Sequence, residues 1–519
     1  MIDAVQRRAA WRPATRASSL ATGAVLLTLL LAVSLFLRTR QLDGPFWIDE
    51  GLSVGIGSYP LTEIPGVLVQ DGSPPLYYMA LHVWMDVFGS GVEATHAFSL
   101  LFALLSIPAA LWAAWSLFGR RAGWAAAALA AFNPFLTIYA QETRMYSLMA
   151  FLSILATAAF LHAFEFRRRR YVAVFAVLLA VMLYTHNWTL FYAAGCLLAL
   201  VLIVRASPDR RGVIRDAALA FGAAVIAFLP WVPTLLEQAR HTGAPWSQTP
   251  GLDALFGGFL VVLSGQNLVI AIVIAGGLGL VVLARRARPS PERTAIFAAF
   301  TIAAGTLVIA WTASQISPAW ANRYLGVLVG PVLLLAAALV PRAGKYGLAA
   351  LAVVLVFWIP FQPDTMKSNA VRLGERYGAE LRPGDVVLST QPEQVPVLAY
   401  YLGRDHEYVT PLGPVPDTRI MDWRDVLGEL ERASTATTLE PLLADLPLGD
   451  RIILIRPLVR DPRAWSAPWT NLVATRSREW HLAMERDRRF VRTLKYLPPY
   501  TELVRRPLVL EIFEKTSDG

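Results

Sequence analysis

The chain has 519 residues, of which 55% are hydrophobic and only 16% are charged. A soluble globular chain carries more charge, so this composition excludes an ordinary soluble protein and predicts a polytopic membrane protein. The formal net charge of +9 comes almost entirely from arginine, which makes the placement of arginine the guide to orientation.

Apolar runs define the predicted membrane-spanning helices. A run of about 17 to 25 residues crosses roughly 30 Å of hydrocarbon as a helix. Eleven such runs lie near residues 18–37, 94–117, 123–140, 145–165, 171–187, 188–205, 216–233, 266–284, 294–313, 325–341 and 347–361. The first is too long for a signal peptide and further runs follow it, so we expect it to be retained.

Arginine clusters predict the orientation of these helices. They occur in alternate short loops, at residues 7–16, 120–121, 167–170, 205–215, 285–293 and 342–345, whereas the opposite short loops hold only Arg38, Arg40, Arg144, Arg240 and Arg323. By the positive-inside rule the arginine-rich loops are cytoplasmic. An odd number of spans then predicts a plasma (inner) membrane protein with a cytoplasmic N-terminus and an extracytoplasmic C-terminus.

Two outward segments are too long to be simple connections. In the first extracytoplasmic loop, residues 38–93, the apolar spacing of "LTEIPGVLVQ" and "PPLYYMALHVWMDVFG" favours helices lying along the interface. The tail, residues 362–519, has the apolar content of a soluble domain. Within it "GDVVLS", "RIILIRPLV" and "RPLVLEIFEK" predict strands, and helices are expected near 366–380, 393–402 and 423–433. The predicted architecture is therefore an all-α membrane module, residues 1–361, followed by a C-terminal extracytoplasmic α/β domain.

Adjacent carboxylates follow the first span in "GPFWIDEGLS". Asp49 and Glu50 lie among apolar residues, with Phe46 and Trp47 as interfacial anchors. Two neighbouring carboxylates repel each other when both are charged, so one of them is expected to have a raised pKa, which suits a general base. The alternative is a solvated pair with no chemical role.

A second polar segment faces the same side of the membrane. In "QDGSPPLYY", Asp71 lies in a stiffened turn, and Tyr77 and Tyr78 offer aromatic faces on which a sugar ring could stack. The alternative is a plain turn that caps an interfacial helix.

The segment "YAQETRMYSL" follows the third span. It brings Glu142, Arg144 and Tyr146 close together in sequence. A local ion pair between Glu142 and Arg144 would explain this cluster without any function.

The outer ends of two later spans supply the last candidates. "YTHNW" places His186 there, and "SPAWANRYLG" places Arg323 and Tyr324 there. The guanidinium of Arg323 could pair with a phosphate, or it could contact lipid headgroups only. His241 is a weaker candidate, since no second histidine at metal-ligand spacing accompanies it.

These polar clusters converge on one face of the bilayer, and no Walker, Rossmann or nucleophile-elbow motif occurs, so nothing indicates a soluble nucleotide or nucleic acid. An enzyme acting at that face is one interpretation. A transporter or flippase of lipid-linked sugars is the alternative, but transporters place ionisable groups near the midplane, where this chain has almost none.

Taken together, the acidic pair, "DGSPPLYY", "QETRMYSL", the late "RY" and the outward tail resemble the GT-C superfamily of polyprenyl-phosphate-dependent glycosyltransferases. The likeness covers roughly residues 18–361 and is strongest to bacterial relatives of protein O-mannosyltransferases (glycosyltransferase family 39) and to lipid A aminoarabinose transferases.

The resemblance implies a GT-C fold and an inverting transfer of a sugar from a polyprenyl-phosphate carrier to a cell-envelope acceptor. It implies that Asp49 is the general base, with Glu50 beside it shaping acceptor or phosphate binding. Glu142 would be a second acidic residue of the site, and Arg144 or Arg323 would neutralise the leaving phosphate. Some relatives use a divalent metal and others do not, so a metal remains open, as do the sugar and the acceptor.

Overall fold

The computed structural model describes residues 16–263, 269–285, 290–358, 366–499 and 504–518. The predicted domain boundary at 361/362, the basic residues at 7–12 and 286–288, and the outermost residues of the predicted spans 266–284 and 347–361 lie outside these ranges.

Helices make up the N-terminal part of the described chain. They are α1 (Arg16–Arg38), α2 (Ile48–Gly57), α3 (Ile64–Val67), α4 (Leu76–Phe88), α5 (Val92–Phe118), α6 (Arg120–Phe132), α7 (Pro134–Tyr139), α8 (Tyr146–Phe160), α9 (Arg170–Leu183), α10 (Thr189–Ala206), α11 (Arg210–Phe228), α12 (Val232–His241), α13 (Leu252–Leu263), α14 (Val269–Arg285), α15 (Pro291–Ile316), α16 (Val329–Leu339) and α17 (Lys345–Trp358).

Seven helical segments of the described chain are long and apolar enough to cross a membrane. They are Leu20–Arg38, Val92–Phe118, Tyr146–Glu165, Thr189–Ala206, Arg210–His241, Pro291–Ile316 and Asn322–Ala343. Shorter apolar helices lie at Arg170–Leu183, Leu252–Leu263, Ile270–Arg285 and Lys345–Trp358. These segments confirm a multi-pass membrane protein, and most of them coincide with the predicted spans.

One predicted span, 123–140, is not a single helix. It breaks at Asn133, whose side chain accepts a hydrogen bond from the Leu136 amide at 3.0 Å and so caps α7. Pro134 follows as the first residue of the new helix, where its missing N–H costs nothing. The side chain of Asn133 also donates to the Val262 carbonyl at 2.9 Å, so the break brings this turn against the end of α13.

Small residues allow the central helices to approach closely. A Cβ on Gly330 would overlap the Ser153 carbonyl between α16 and α8, and one on Gly195 would lie 2.5 Å from the Thr306 hydroxyl between α10 and α15. Close backbone approach of this kind drives helix association in lipid, where the hydrophobic effect is lost.

The C-terminal domain, residues 366–518, contains strands and helices. They are β1 (Met366–Ser368), α18 (Ala370–Tyr377), β2 (Val386–Ser389), α19 (Val395–Leu402), β3 (Glu407–Thr410), β4 (Gly413–Pro414), α20 (Val426–Arg432), α21 (Glu440–Asp445), β5 (Arg451–Pro457), α22 (Pro468–Arg486), β6 (Phe490–Tyr496), β7 (Val504–Arg506) and β8 (Leu508–Lys515).

A six-stranded sheet in the order β4-β3-β2-β5-β8-β6 forms the centre of this domain. Its β3, β2 and β5 are parallel, and β8 is antiparallel to both β5 and β6. The three strands predicted from sequence are β2, β5 and β8, which confirms the α/β class. The segment 366–380, which was predicted to be helical throughout, begins instead with strand β1, and β1 pairs with β7.

The sequence interpretation missed α22, although the signal is present in the chain. Its buried residues recur with helical spacing at Trp469, Val473, Ser477, Trp480 and Met484. This stripe packs against the sheet and belongs to the core of the domain.

The C-terminal domain lies directly on the segment that follows α3, on the end of α12 and on the loop after α12. Its backbone donates to them from Trp423 to the Gln70 carbonyl at 2.9 Å, from Asp425 to the His241 carbonyl at 2.8 Å, and from Trp469 to the Pro245 carbonyl at 3.0 Å. These bonds fix the domain over one end of the helices.

Candidate active site

A cavity of about 170 Å³ lies where the C-terminal domain meets the membrane module. It is lined by Asp49, Leu52, Asp71, Gly72, Ser73, Pro74, Arg144, Met145, His186, Asn187, Trp188, Gly243, Ala244, Trp246, Ala319, Arg323, Tyr324 and Trp423. We call it the Asp49 cavity. It brings together six of the predicted site residues from segments far apart in sequence.

Asp49 faces this cavity from the first turn of α2. Its Oδ2 lies 3.5 Å from Nη2 of Arg323, and its side chain is 18% exposed. No described residue donates a hydrogen bond to this oxygen. The carboxylate therefore retains capacity to accept a hydrogen bond or a proton from a ligand in the cavity.

Glu50 points away from the cavity into the protein. Its carboxylate is fully buried and lies 2.6 Å from Nε2 of His96 and 2.7 Å from Nζ of Lys367, and it accepts from the Thr143 amide at 2.9 Å. Burial alone would raise the pKa of this carboxyl, but the charges and hydrogen bonds of Lys367 and His96 outweigh it and lower the pKa to about 2. The expected rise in pKa is therefore wrong for Glu50, and the predicted catalytic role is not supported by its position.

His96 and Lys367 were not found from the sequence. They are 46 and 317 residues from Glu50, and no local pattern links residues at such separations. Lys367 lies on β1 of the C-terminal domain, so this buried ion pair joins the two parts of the chain.

Arg144 connects Asp49 to the Asp71 turn. Its Nη1 donates to the Ser53 hydroxyl at 3.0 Å and to the Tyr78 hydroxyl at 3.3 Å, and also reaches the Asp49 carbonyl at 3.3 Å. The Tyr78 hydroxyl donates in turn to Asp71 at 3.4 Å. Burial raises the pKa of Asp71, against the lowering effect of Arg144.

The predicted stacking role of Tyr77 and Tyr78 is wrong for this conformation. Both rings are completely buried and neither lines the cavity. They pack edge to face at 5.6 Å, because the helical spacing of α4 turns them toward the core. Tyr78 instead acts through its hydroxyl, which orients Arg144 and Asp71.

Glu142 and Tyr146 lie behind the cavity wall and do not line it. Glu142 forms no ion pair with Arg144 or with another described residue, and its Oε2 has no hydrogen-bond donor among them. Burial raises the pKa of Glu142 to about 7, with nearby Lys367 lowering it and Glu50 and Asp49 raising it. The Tyr146 ring lies 5.8 Å from the Arg144 guanidinium.

Aromatic rings surround the guanidinium of Arg323. The ring centres of Trp246, Tyr324 and Trp47 lie 5.0, 5.5 and 5.8 Å from it. His186 lines the same wall, 4.6 Å from the Tyr324 ring. Burial and the positive charges of Arg144 and Arg323 lower the pKa of His186 to about 3, so this ring is neutral at physiological pH.

The described residues of the cavity do not include a cluster of metal ligands. Among residues that the structure describes, three potential ligands group only at His481, Glu485 and Glu511 of the C-terminal domain. Glu511 there already pairs with Arg456 at 3.1 Å and Lys495 at 3.0 Å. His241 lies in a neighbouring groove and pairs with Asp425 at 3.0 Å. The resemblance leaves a divalent metal open, and these residues add no support for one in the Asp49 cavity.

Comparison with known proteins identifies the fold. No protein-family model and no curated protein sequence matches the chain. Two crystal structures of ArnT from Cupriavidus metallidurans, one apo and one bound to undecaprenyl phosphate, match it with a TM-score of 0.57 each and 16% and 15% sequence identity. The matches cover 95% and 94% of this chain and 98% of ArnT.

A third structure, the Archaeoglobus fulgidus oligosaccharyltransferase in complex with Zn and sulfate, matches with a TM-score of 0.44 and 14% identity over 82% of this chain and 67% of the other. At these identities the ArnT match establishes the fold. The chain has the fold of ArnT, with the C-terminal domain included.

Proposed function

We propose that this protein is an inverting glycosyltransferase that moves a sugar from a polyprenyl-phosphate carrier to a hydroxyl of a cell-envelope acceptor. The observation that carries the proposal is the Asp49 cavity, in which the Asp49 carboxylate and the guanidinium groups of Arg144 and Arg323 line one space, and one carboxylate oxygen accepts no hydrogen bond from a described residue. The shared fold supports it, since ArnT has been crystallised with undecaprenyl phosphate bound.

The geometry matches the needs of such a transfer. The Asp49 carboxylate takes the proton from the acceptor hydroxyl as its oxygen forms a bond to the anomeric carbon of the sugar. The bond between that carbon and the phosphate oxygen breaks on the opposite face, and both bonding electrons leave with the phosphate. Arg144 and Arg323 then stabilise the growing negative charge on the phosphate.

Other residues of the cavity hold the substrates in this scheme. Asp71, His186 and Tyr324 line the wall and contact the sugar or the acceptor, with His186 acting as a neutral hydrogen-bonding group. Tyr77, Tyr78 and Tyr146 support the wall from behind. Glu50 is a positioning residue, because its ion pairs fix the start of α2 and with it the direction of Asp49.

The same proposal places the cavity and the C-terminal domain on the extracytoplasmic side. Arginine-rich loops lie at the other end of the helices, as the positive-inside rule requires of the cytoplasmic side. Polyprenyl-linked sugars and cell-envelope acceptors would then meet at the membrane surface under the C-terminal domain.

The decisive test is Asp49→Asn, assayed in membranes supplied with labelled polyprenyl-phosphate sugars and cell-envelope acceptors. We expect transfer to fall on the order of a hundredfold or more, because the amide accepts no proton. Asp43→Asn is the matched control, since Asp43 is an exposed carboxylate of the same loop outside the cavity.

Transfer by Asp49→Asn at the wild-type rate would contradict the role of Asp49. Wild-type protein that moves no sugar from any carrier, but carries lipid-linked sugars across the bilayer, would overturn the enzyme in favour of a flippase.

A further inference from the structure

A second pocket lies at the opposite end of the helices from the Asp49 cavity. It encloses about 610 Å³ between the start of α6, the turn that follows α16 and the start of α17. Since the helical segment from Asn322 to Leu339 joins the two regions, they lie about 25 Å apart along the helix axis. We call this second site the basic pocket.

Three cations border the basic pocket, and no carboxylate does. They are Arg120, Arg121 and Lys345, all exposed. None of them forms an ion pair with a described carboxylate. Two other cations at this end do pair with carboxylates of the chain, Arg342 with Glu292 and Arg167 with Asp216 at 3.0 Å.

Two helix N-termini add to this positive charge. Arg120 begins α6, and Lys345 begins α17, and the first turn of each helix lacks an acidic residue. The unpaired N–H groups and the helix dipole place partial positive charge at each N-terminus, which favours an anion there. The N-cap residue of α6 is Gly119, which has no side chain that could accept a hydrogen bond from the first N–H groups of the helix.

Gly347 allows the two sides of the pocket to pack closely. A Cβ on Gly347 would overlap the Val340 carbonyl, so only glycine allows α17 to lie this close to the turn after α16.

The rest of the pocket is apolar. Trp124 and Leu351 line it beneath the cations, and Leu348 there is 70% exposed. An ionic rim above an exposed apolar wall complements a molecule that has an anionic head and hydrocarbon chains.

We infer that the basic pocket binds an anionic phospholipid, with its phosphodiester between Arg120, Arg121 and Lys345 and its acyl chains along Trp124, Leu348 and Leu351. The phospholipid belongs to the leaflet opposite the Asp49 cavity. This site is therefore separate from any polyprenyl-phosphate site, and it does not depend on the proposed transfer reaction.

The test measures lipid retained by the full-length protein. Protein purified in detergent is mixed with phosphatidylglycerol or phosphatidylcholine, and bound lipid is counted by native mass spectrometry. The triple variant Arg120→Gln, Arg121→Gln, Lys345→Gln should bind phosphatidylglycerol on the order of tenfold or more weakly, because each basic side chain near a lipid headgroup contributes to binding.

The matched control removes the same charge at the same end of the helices. Arg205→Gln, Arg210→Gln and Arg211→Gln change three exposed arginines that do not line the basic pocket. If the triple variant folds poorly, the single exposed substitution Lys345→Glu tests the site instead. It should also weaken the binding of phosphatidylglycerol.

Three results would overturn the inference: equal retention of phosphatidylglycerol by the wild type and the pocket variants, equal loss in the control variant, or equal retention of phosphatidylcholine by the wild type. If glycerol phosphate displaces the lipid at equal concentration, the site recognises a free phosphate and the assignment to a phospholipid is wrong.

Discussion

Asp49 and Glu50 are neighbours in sequence but lie in opposite environments. Successive residues of a helix point about 100° apart, so α2 directs Asp49 into the cavity and Glu50 toward His96 and Lys367. One oxygen of Asp49 accepts no hydrogen bond from a described residue, whereas the Glu50 carboxylate pairs with both His96 and Lys367. The pair thus separates into a residue suited to proton transfer and a residue that fixes structure.

Glu50→Gln should destabilise the protein by roughly 3 kcal/mol, because it removes the fully buried carboxylate and leaves the partly buried Lys367 ammonium without its counterion. The folded pKa of about 2 lies below the ordinary value of 4.5, so the stability that Glu50 contributes is fully present above pH 4.5 and is lost as pH falls toward 2. Thermal unfolding of purified protein between pH 3 and 8 measures both effects.

The control for Glu50→Gln is Glu63→Gln, which changes an exposed carboxylate of the same loop. Equal unfolding temperatures for Glu50→Gln and this control would show that the buried ion pairs contribute nothing.

Glu142→Gln should change the stability of the protein in the opposite direction to Glu50→Gln. Burial raises the folded pKa of Glu142 from 4.5 to about 7, so the folded state keeps a proton that the unfolded state loses, and stability falls as pH rises from 4.5 to 7. The amide removes this penalty. We expect Glu142→Gln to raise the unfolding temperature at pH 8 and to leave it nearly unchanged at pH 4. A variant that is less stable at pH 8 would show that the ionised carboxylate has a partner there.

Among the elements, α2 links the chemistry to the C-terminal domain. Its glycines face that domain directly. A Cβ on Gly51 would lie 2.6 Å from Val397 of α19, and one on Gly55 would overlap the Arg419 carbonyl. The short helix therefore packs against the C-terminal domain on one side while it directs Asp49 into the cavity.

Gly55→Ala should push α2 away from the C-terminal domain. The added methyl group meets backbone, which cannot rotate away, so we expect a loss of roughly 1–3 kcal/mol in stability together with slower sugar transfer. Gly66→Ala is the matched control, because a Cβ there meets no atom within 4 Å. Unfolding temperature and transfer rate of the two variants, measured side by side, check the prediction. If they behave alike, close packing at Gly55 is not required.

For the whole molecule, the C-terminal domain is part of the site. Trp423 closes the cavity from above, and Lys367 reaches down to Glu50. The backbone of the domain also donates hydrogen bonds to the segment after α3, to the end of α12 and to the loop after α12. The proposed reaction therefore takes place under this domain and not at an open membrane surface.

The proposed orientation can be tested by cysteine labelling in intact cells. The chain's single cysteine, Cys196, is completely buried and gives little background. A membrane-impermeant maleimide should label Thr475→Cys on α22 in intact cells, and should label Ala206→Cys at the arginine-rich end only after permeabilisation. Both positions are exposed. The reverse pattern would place the Asp49 cavity in the cytoplasm.

The sequence predicted much of the candidate site because its residues lie at membrane exits or, for Asp71, in a recognisable turn of the first extracytoplasmic loop. Asp49, Asp71, Arg144, His186, Arg323 and Tyr324 all line the cavity. The stacking role predicted for Tyr77 and Tyr78 was wrong, since the direction of a side chain on an interfacial helix depends on what packs against it. The prediction also missed Trp423, which belongs to a different domain.

Composition and hydrophobic patterning by themselves determined the class of protein, most of the spans and the α/β nature of the tail. These follow from local properties: a helix must be long and apolar to cross lipid, and a buried strand must be apolar. Only the tertiary structure decided which carboxylate faces the cavity, because the partners of Glu50 lie 46, 93 and 317 residues away. The contact with Lys367 forms only when the C-terminal domain packs on α2, and the contacts with His96 and Thr143 form only when other parts of the membrane module pack beside Glu50. No local sequence pattern encodes that packing.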